Sequence, residues 1–411
     1  MKRITVSLTA LALAGTMLAG CASSPAPADA PADTQSAGEQ TTAADAQADT
    51  PQGTENDAAP LPVADNAVAF AASLGMGWNL GNTLDATGAE DLTSETSWGQ
   101  PKAEKALFEY LKSQGISSVR IPVSWGQHTD ADYNIDPDWM ARVTEVVDYA
   151  MDSGLYVIIN SHHDCDKYYP SDEHADESER YIKAVWTQIA DNFADYDNSL
   201  IFESMNEPRL MGTSIEWWFK DDDAKGIASI KVINRLNQAF VDTVRASGGN
   251  NPTRYLMVPS NAAAPQNATN SAFVMPEDPA NKLMVSVHAY TPYDFAMNAN
   301  GYSDWSDSKL FELNFMDSLN KKFIANGYGV VIGEFGSTNK DNLDDRVAWA
   351  KDYVGKASSL GIPCFLWDNG GTEVGEENFG MIDRTNLKVY YPEILTAMVE
   401  CYTSNEAKQA A

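Results

Sequence analysis

Eight apolar runs of four to six residues recur between positions 61 and 411, and most are followed by a stretch of amphipathic, helix-period sequence. The runs are Gly75–Leu80, Ser118–Val123, Leu155–Asn160, Leu200–Ser204, Arg254–Val258, Leu283–Val287, Gly329–Ile332 and Pro363–Leu366. Helices are expected over Ala103–Gln114, Pro137–Ser153, Ser178–Phe193, Ile230–Ala246, Ser308–Asn326, Leu343–Leu360 and Pro392–Tyr402, with mostly loop between the fifth and sixth strands. Runs such as Tyr156-Val157-Ile158-Ile159 are continuous, not alternating, as in parallel strands covered on both faces. Eight strand–helix repeats in about 350 residues fit an α/β fold of the (β/α)8 barrel type, in a single domain over 61–411. A doubly wound open sheet is the alternative. No Gly-x-Gly-x-x-Gly follows a strand and no Gly-x-x-x-x-Gly-Lys is present, which counts against nucleotide binding.

The amino terminus is an address. Lys2 and Arg3 precede the apolar stretch Ile4–Ala19, which has signal-peptide length and is short for a membrane span. It runs into Leu18-Ala19-Gly20-Cys21, a lipobox. Residues 1–20 are read as a lipoprotein signal peptide and Cys21 as the lipidated residue. The chain is therefore expected to be anchored to a bacterial cell envelope, at the outer membrane if the cell is Gram-negative. Residues 21–60, rich in Ala, Pro and Asp and free of aromatics, Lys and Arg, form a tether that cannot bury enough apolar surface to order itself. Three cysteines remain, Cys165, Cys364 and Cys401, so at most one internal disulfide is available; Cys364 lies in an apolar run and reads as a buried small hydrophobe.

Charge narrows the partners. With 28 Lys+Arg against 58 Asp+Glu the formal net charge is −30, which excludes a phosphate-neutralising footprint and hence nucleic acid. Neutral substrates remain open. Ten Trp are more than a core of this size needs, and flat aromatic faces suit sugar rings.

The active face of such a barrel is the carboxyl end of its strands. There the sequence places Asn79, Arg120, His162-His163-Asp164, Asn206-Glu207-Pro208, His288-Ala289-Tyr290, Glu334 and Trp367-Asp368. Two facing carboxyls are the equipment for glycoside hydrolysis, one a protonated acid and the other an ionised nucleophile. Arg120 beside Glu334 is expected to lower that carboxyl, and the neighbouring charge to raise Glu207. Asn206 is placed to donate to a sugar hydroxyl, His288 and Tyr290 to orient Glu207 and Glu334, and Trp367 to stack on a pyranose.

Four segments carry a resemblance: Trp78–Ala86, Phe202–Arg209, His288–Tyr293 and Ile332–Gly336. Together they resemble glycoside hydrolase family 5, and within it the subfamily 4 endo-β-1,4-glucanases, over roughly residues 65–400. The resemblance implies a retaining double displacement with Glu207 as acid/base and Glu334 as nucleophile. It carries Arg120, His162, Asn206, His288, Tyr290 and Trp367 into the substrate site; Asn79 and His163 complete the set. It implies a β-glucan substrate (cellulose-type, mixed-linkage or xyloglucan); no cofactor is expected, and a monomer is the default. A mannanase or xylanase of the same fold is the near alternative, and a non-catalytic glycan-binding protein the distant one. The loop Asp164-Cys165-Asp166-Lys167-Tyr168-Tyr169 departs from the family pattern, which often presents a Trp there. Trp98, Trp217, Trp218 and Trp305 are expected at the cleft; Trp139, Trp186 and Trp349 are expected in the core. No metal is expected, on the argument that adjacent histidines on a strand point to opposite faces.

Overall fold

The computed structural model describes residues 61–375 and 377–409. The expected signal peptide, the Cys21 anchor site and the expected tether lie outside the described residues. Eight strands close a parallel barrel in sequence order, with β8 pairing back onto β1. They are β1 (Met76–Asn79), β2 (Ser118–Ile121), β3 (Tyr156–Asn160), β4 (Leu200–Glu203), β5 (Leu256–Pro259), β6 (Leu283–His288), β7 (Gly329–Phe335) and β8 (Cys364–Leu366). The helices are α1 (Ala67–Ser73), α2 (Lys105–Ser113), α3 (Pro137–Asp152), α4 (Ala175–Asn192), α5 (Ala224–Ala246), α6 (Pro265–Thr269), α7 (Tyr293–Ala296), α8 (Phe315–Lys322), α9 (Leu343–Ser359) and α10 (Pro392–Gln409). The open-sheet alternative is set aside.

Strand alternation divides the apolar residues into two cores. Outward residues such as Val119, Val157, Ile159, Phe202 and Val285 pack against the helices. Inward residues Ile158, Ile201, Met257, Met284, Val331 and Phe365 fill the barrel with Phe70 and Ala71 of α1 and Leu74 at its carboxyl end, so that α1 closes the amino-terminal end. Phe70 stacks on Tyr255 with ring centroids 3.8 Å apart. Two residues further along β3, β4 and β6 the inward face turns polar: Ile158 is succeeded by Asn160, Ile201 by Glu203, Met284 by Ser286 and then His288, all buried. The barrel is therefore apolar at its base and polar towards its carboxyl mouth.

Two differences from the sequence reading have physical reasons. The 308–326 segment is a 3₁₀ turn (Asp307–Asn314), α8 and a second 3₁₀ turn (Ile324–Asn326), a common way of closing both ends of an α-helix. Trp305 is core, not cleft: it is buried, packs on Phe295, and its indole N–H donates to Asp352 on α9 at 2.9 Å. The three described cysteines are free thiols, and Cys364 is buried as expected.

His128 gives the fold a pH dependence. Its ring stacks on Trp139 at 3.7 Å and meets Ser94 Oγ at 3.1 Å, and burial pushes its pKa down to about 4. The folded state favours the neutral ring, so this contribution is present above the unfolded value of about 6.5 and is lost as pH falls towards 4. Urea midpoints at pH 7, 5.5 and 4 should fall more steeply for the wild type than for His128→Gln. Parallel slopes would show that His128 does not set the dependence.

Candidate active site

Glu334 reaches the site through a break in strand alternation. On β7, Val331 and Gly333 point inward, so an unbroken strand would turn Glu334 away. The pairing with β6 slips here, from Val287 opposite Ile332 to His288 opposite Glu334, and the extra residue is Gly333. Such a bulge re-aims the next side chain. Asn79 Nδ2–H donates to the Gly333 carbonyl at 2.9 Å. A Cβ at position 333 would lie 3.1 Å from Ser286 Oγ and 3.2 Å from His288 Nε2, so glycine keeps this corner open.

Arg120, fully buried on β2, organises the floor. Its Nη1 donates to Glu334 Oε1 at 2.8 Å and to Asn79 Oδ1 at 3.1 Å, and Nη2 donates to Asn206 Oδ1 at 2.8 Å. Pinning the Asn206 oxygen leaves its amide N–H groups to donate elsewhere. Tyr290 Oη donates to Glu334 Oε2 at 3.0 Å, and His288 Nδ1 lies 2.8 Å from Glu207 Oε1 and 3.5 Å from Glu334 Oε1. An oxygen of Glu207 and one of Glu334 lie within 4.8 Å of each other. His288 thus contacts Glu207 and Tyr290 contacts Glu334, the two pairs for which orienting roles are expected.

Proton placement differs from the expectation. Burial alone would raise Glu207, but the hydrogen bond and charge of His288, with Arg209 and Arg120, outweigh it and hold Glu207 below its ordinary value. Burial raises Glu334 and prevails over His288 and Arg120. Burial would lower His288, but Glu334 and Glu207 outweigh it and raise it. His288 therefore belongs to the same titrating group as the two carboxylates, an influence that the pairing of Glu207 with Glu334 alone does not count.

His162 lies parallel to Trp367, ring centroids 5.6 Å apart. His163 meets His162 edge-to-face at 4.5 Å, packs near Trp98 at 5.3 Å and lies 3.7 Å from Asp85 Oδ2. The two rings do not point apart, because β3 ends at Asn160 and strand alternation no longer applies. Asp85, His162 and His163 even bring potential ligand atoms within 4.8 Å. Asn160 argues against a metal there. Its Oδ1 accepts from the Val123 N–H at 3.1 Å, so its amide N–H faces His162 Nδ1 at 3.1 Å. Nδ1 must accept, which places the single ring proton on Nε2, and neither nitrogen is free for an ion. Burial, reinforced by His163, Arg120 and His288, keeps this ring neutral.

A profile for Cellulase (glycosyl hydrolase family 5) matches residues 84–373. The chain belongs to glycosyl hydrolase family 5. It is 44% identical over 343 residues to endoglucanase B of Ruminococcus albus, covering 83% of this chain and 82% of that protein. The family 5 lichenase of Caldicellulosiruptor sp. F32, solved with cellotetraose, superposes with TM-score 0.80 at 43% identity, over 85% of this chain and 99% of that one. A subfamily 4 (GH5-4) broad-specificity endoglucanase from Ruminococcus champanellensis with bound cellotriose gives TM-score 0.77 at 42% identity, over 82% and 100% of the two chains.

Against this family 5 frame, every site residue named from sequence within the described region falls at the barrel mouth. Glu203 and Arg209 had no role assigned. Glu203 could have been noticed, since a carboxylate inside an apolar strand run must be paired if buried. Arg209 donates to the Glu207 carbonyl at 3.0 Å and to Glu216 Oε1 at 3.0 Å, and lies over the Trp217 ring at 4.1 Å. Trp217 and Trp218 are exposed at 51% and 61%, and Trp98 at 39%, so these three remain available to a ligand. The loop that departs from the family pattern turns one tyrosine inward and leaves the other, Tyr169, half-buried against His174. Tyr168 is buried and donates to the His162 carbonyl at 2.7 Å, and Cys165 Sγ packs 3.6 Å from the Glu207 carbonyl.

Proposed function

We infer that this family 5 chain is a retaining endo-β-1,4-glucanase acting on cellulose-type or mixed-linkage β-glucan. The observation that carries the mechanism is the close approach of the Glu207 and Glu334 carboxylates, within 4.8 Å. A gap this short suits direct attack by a carboxylate and leaves no room for the interposed water of an inverting enzyme, whose carboxyls stand about 6.5–9.5 Å apart. The Glu334 carboxylate attacks the anomeric carbon, the glycosidic C–O bond breaks, and the Glu207 proton goes to the leaving oxygen. Water then gives its proton to Glu207 and its oxygen to the anomeric carbon, releasing Glu334 as carboxylate.

Glu207 must be protonated at the start, and His288 is the donor at hand. When a neutral sugar covers the site and excludes water, a His288 cation beside a Glu207 anion loses solvation, and the neutral pair is favoured. The proton crosses the 2.8 Å hydrogen bond to Glu207. Trp367 offers the stacking face, and His162 Nε2–H and the Asn206 amide offer donors to hydroxyls.

A test follows new reducing ends and product length for residues 60–411 on mixed-linkage glucan, xyloglucan, carboxymethylcellulose, mannan and xylan. Rapid shortening of a glucan is expected. Cleavage of mannan or xylan alone would overturn the glucanase reading, and silence on all five by folded protein would favour glycan capture. With this activity we propose a lipid anchor at Cys21, supported by the lipobox. Cys21→Ser should move the full chain out of the membrane fraction, and unchanged partition would remove the anchor.

A further inference from the structure

Beneath the reacting carboxylates lies a third one, Glu203, which no step of the reaction uses. It is fully buried on β4. Its Oε2 accepts from Arg120 Nε at 2.6 Å, and its Oε1 accepts from Ser286 Oγ on β6 at 2.5 Å. Among the described residues no other cation lies within salt-bridge distance of Glu203. One guanidinium therefore serves two carboxylates, Glu203 through Nε and Glu334 through Nη1. A buried charge without a partner is costly, so a cation shared in this way is a fixed quantity that one carboxylate draws from the other.

We propose that Glu203 is a positioning residue that divides the charge of Arg120, setting both the angle of the guanidinium and how strongly it stabilises the Glu334 carboxylate. The orientation follows from geometry: with Nε held by Glu203, Nη1 and Nη2 can only face Glu334 and Asn206. The division follows from electrostatics. A nucleophile fully neutralised by an undivided arginine is a poorer base and a poorer attacking group. The groups facing Glu334 are Arg120 from β2, Glu207 from the loop after β4, and His288 and Tyr290 from β6 and its end. Those facing Glu203 are Arg120 and Ser286. Glu203 is the acid that competes with Glu334 for Arg120 without taking part in proton transfer.

The inference rests on the glucanase reading, and two variants pull in opposite directions. Glu203→Gln keeps the shape and removes the charge, so Arg120 turns its whole charge on Glu334. The acid limb of kcat/KM on a soluble glucan should move down by about one pH unit, with kcat reduced roughly tenfold and KM little changed. Ser286→Ala keeps the charge but removes the hydroxyl that shares it, so Glu203 draws harder on Arg120 and the acid limb should move up by a few tenths of a unit. A residue that only supports the fold would lower the melting temperature and leave both limbs where they are. If Glu203→Gln does not fold, the upward shift in Ser286→Ala remains the test, and an unmoved limb there overturns the proposal. Glu334→Gln run alongside separates the two ideas: activity in that variant sinks the mechanism, whereas an inactive Glu334→Gln with unmoved limbs in the other two sinks the charge division alone.

Discussion

Glu334→Gln should lower kcat on β-glucan on the order of 10⁴-fold or more while leaving the barrel folded. The size of the loss follows from what the side chain does. An amide oxygen cannot form the glycosyl ester, and no second carboxylate can take its place: Glu207 is needed as acid, and Glu203 lies on the floor with both oxygens engaged by Arg120 and Ser286. The tolerance of the fold follows from the same contacts. Glutamine is isosteric, its oxygen still accepts from Arg120 Nη1, and its NH2 can donate to Tyr290 Oη, which now accepts. Arg120 keeps Glu203 as counter-ion, so no buried cation is orphaned, and the stability loss should stay within about 2 kcal/mol. Reducing-end release and a thermal melt on the same preparation check both halves. A rate within tenfold of wild type would require another nucleophile. A variant that fails to fold would mean that the Glu334 charge, not its shape, holds the mouth of the barrel together.

Much of this site was legible because strand ends are marked by chemistry. The sequence changes from apolar to polar where each run ends, and the barrel rule then predicts that those polar residues converge. Seven of the eight strands could be assigned site residues this way, the fifth being the exception. The bulge at Gly333 could not. A single glycine in a strand run hints at a bulge or a close approach, but only the pairing with His288 reveals that it turns Glu334 inward. The proton distribution was hidden for a similar reason. Glu207 and Glu334 were weighed as a pair, and the 2.8 Å approach of His288 makes the group a threesome. Trp305 shows the limit of counting aromatics in loops, since its Asp352 partner lies 47 residues away and nothing local announces it. α1 was missed because Ala67–Ser73 is seven residues with little polar contrast, and its helix is justified only by the barrel base it closes.

The second large effect concerns Glu207 and depends on the leaving group. Glu207→Ala should reduce polysaccharide hydrolysis by about 10³- to 10⁴-fold, the usual worth of a well-placed general acid. The same variant should release dinitrophenol from an aryl cellobioside in a burst. That leaving group departs without a proton, so Glu334 can still form the glycosyl-enzyme. The next step then stalls, because Glu207 is also the base that activates water. Steady-state kcat and KM should fall together, leaving kcat/KM on the activated substrate much closer to wild type than on glucan. His288 and Arg209, which hold Glu207 at 2.8 Å and 3.7 Å, would lose a partner, and without Glu207 the His288 ring should return to its neutral form at a lower pH. Equal losses on glucan and on the aryl substrate, with no burst, would show that Glu207 does not act through the leaving group. The acid would then have to be sought elsewhere at the barrel mouth, with His288 the first residue to test.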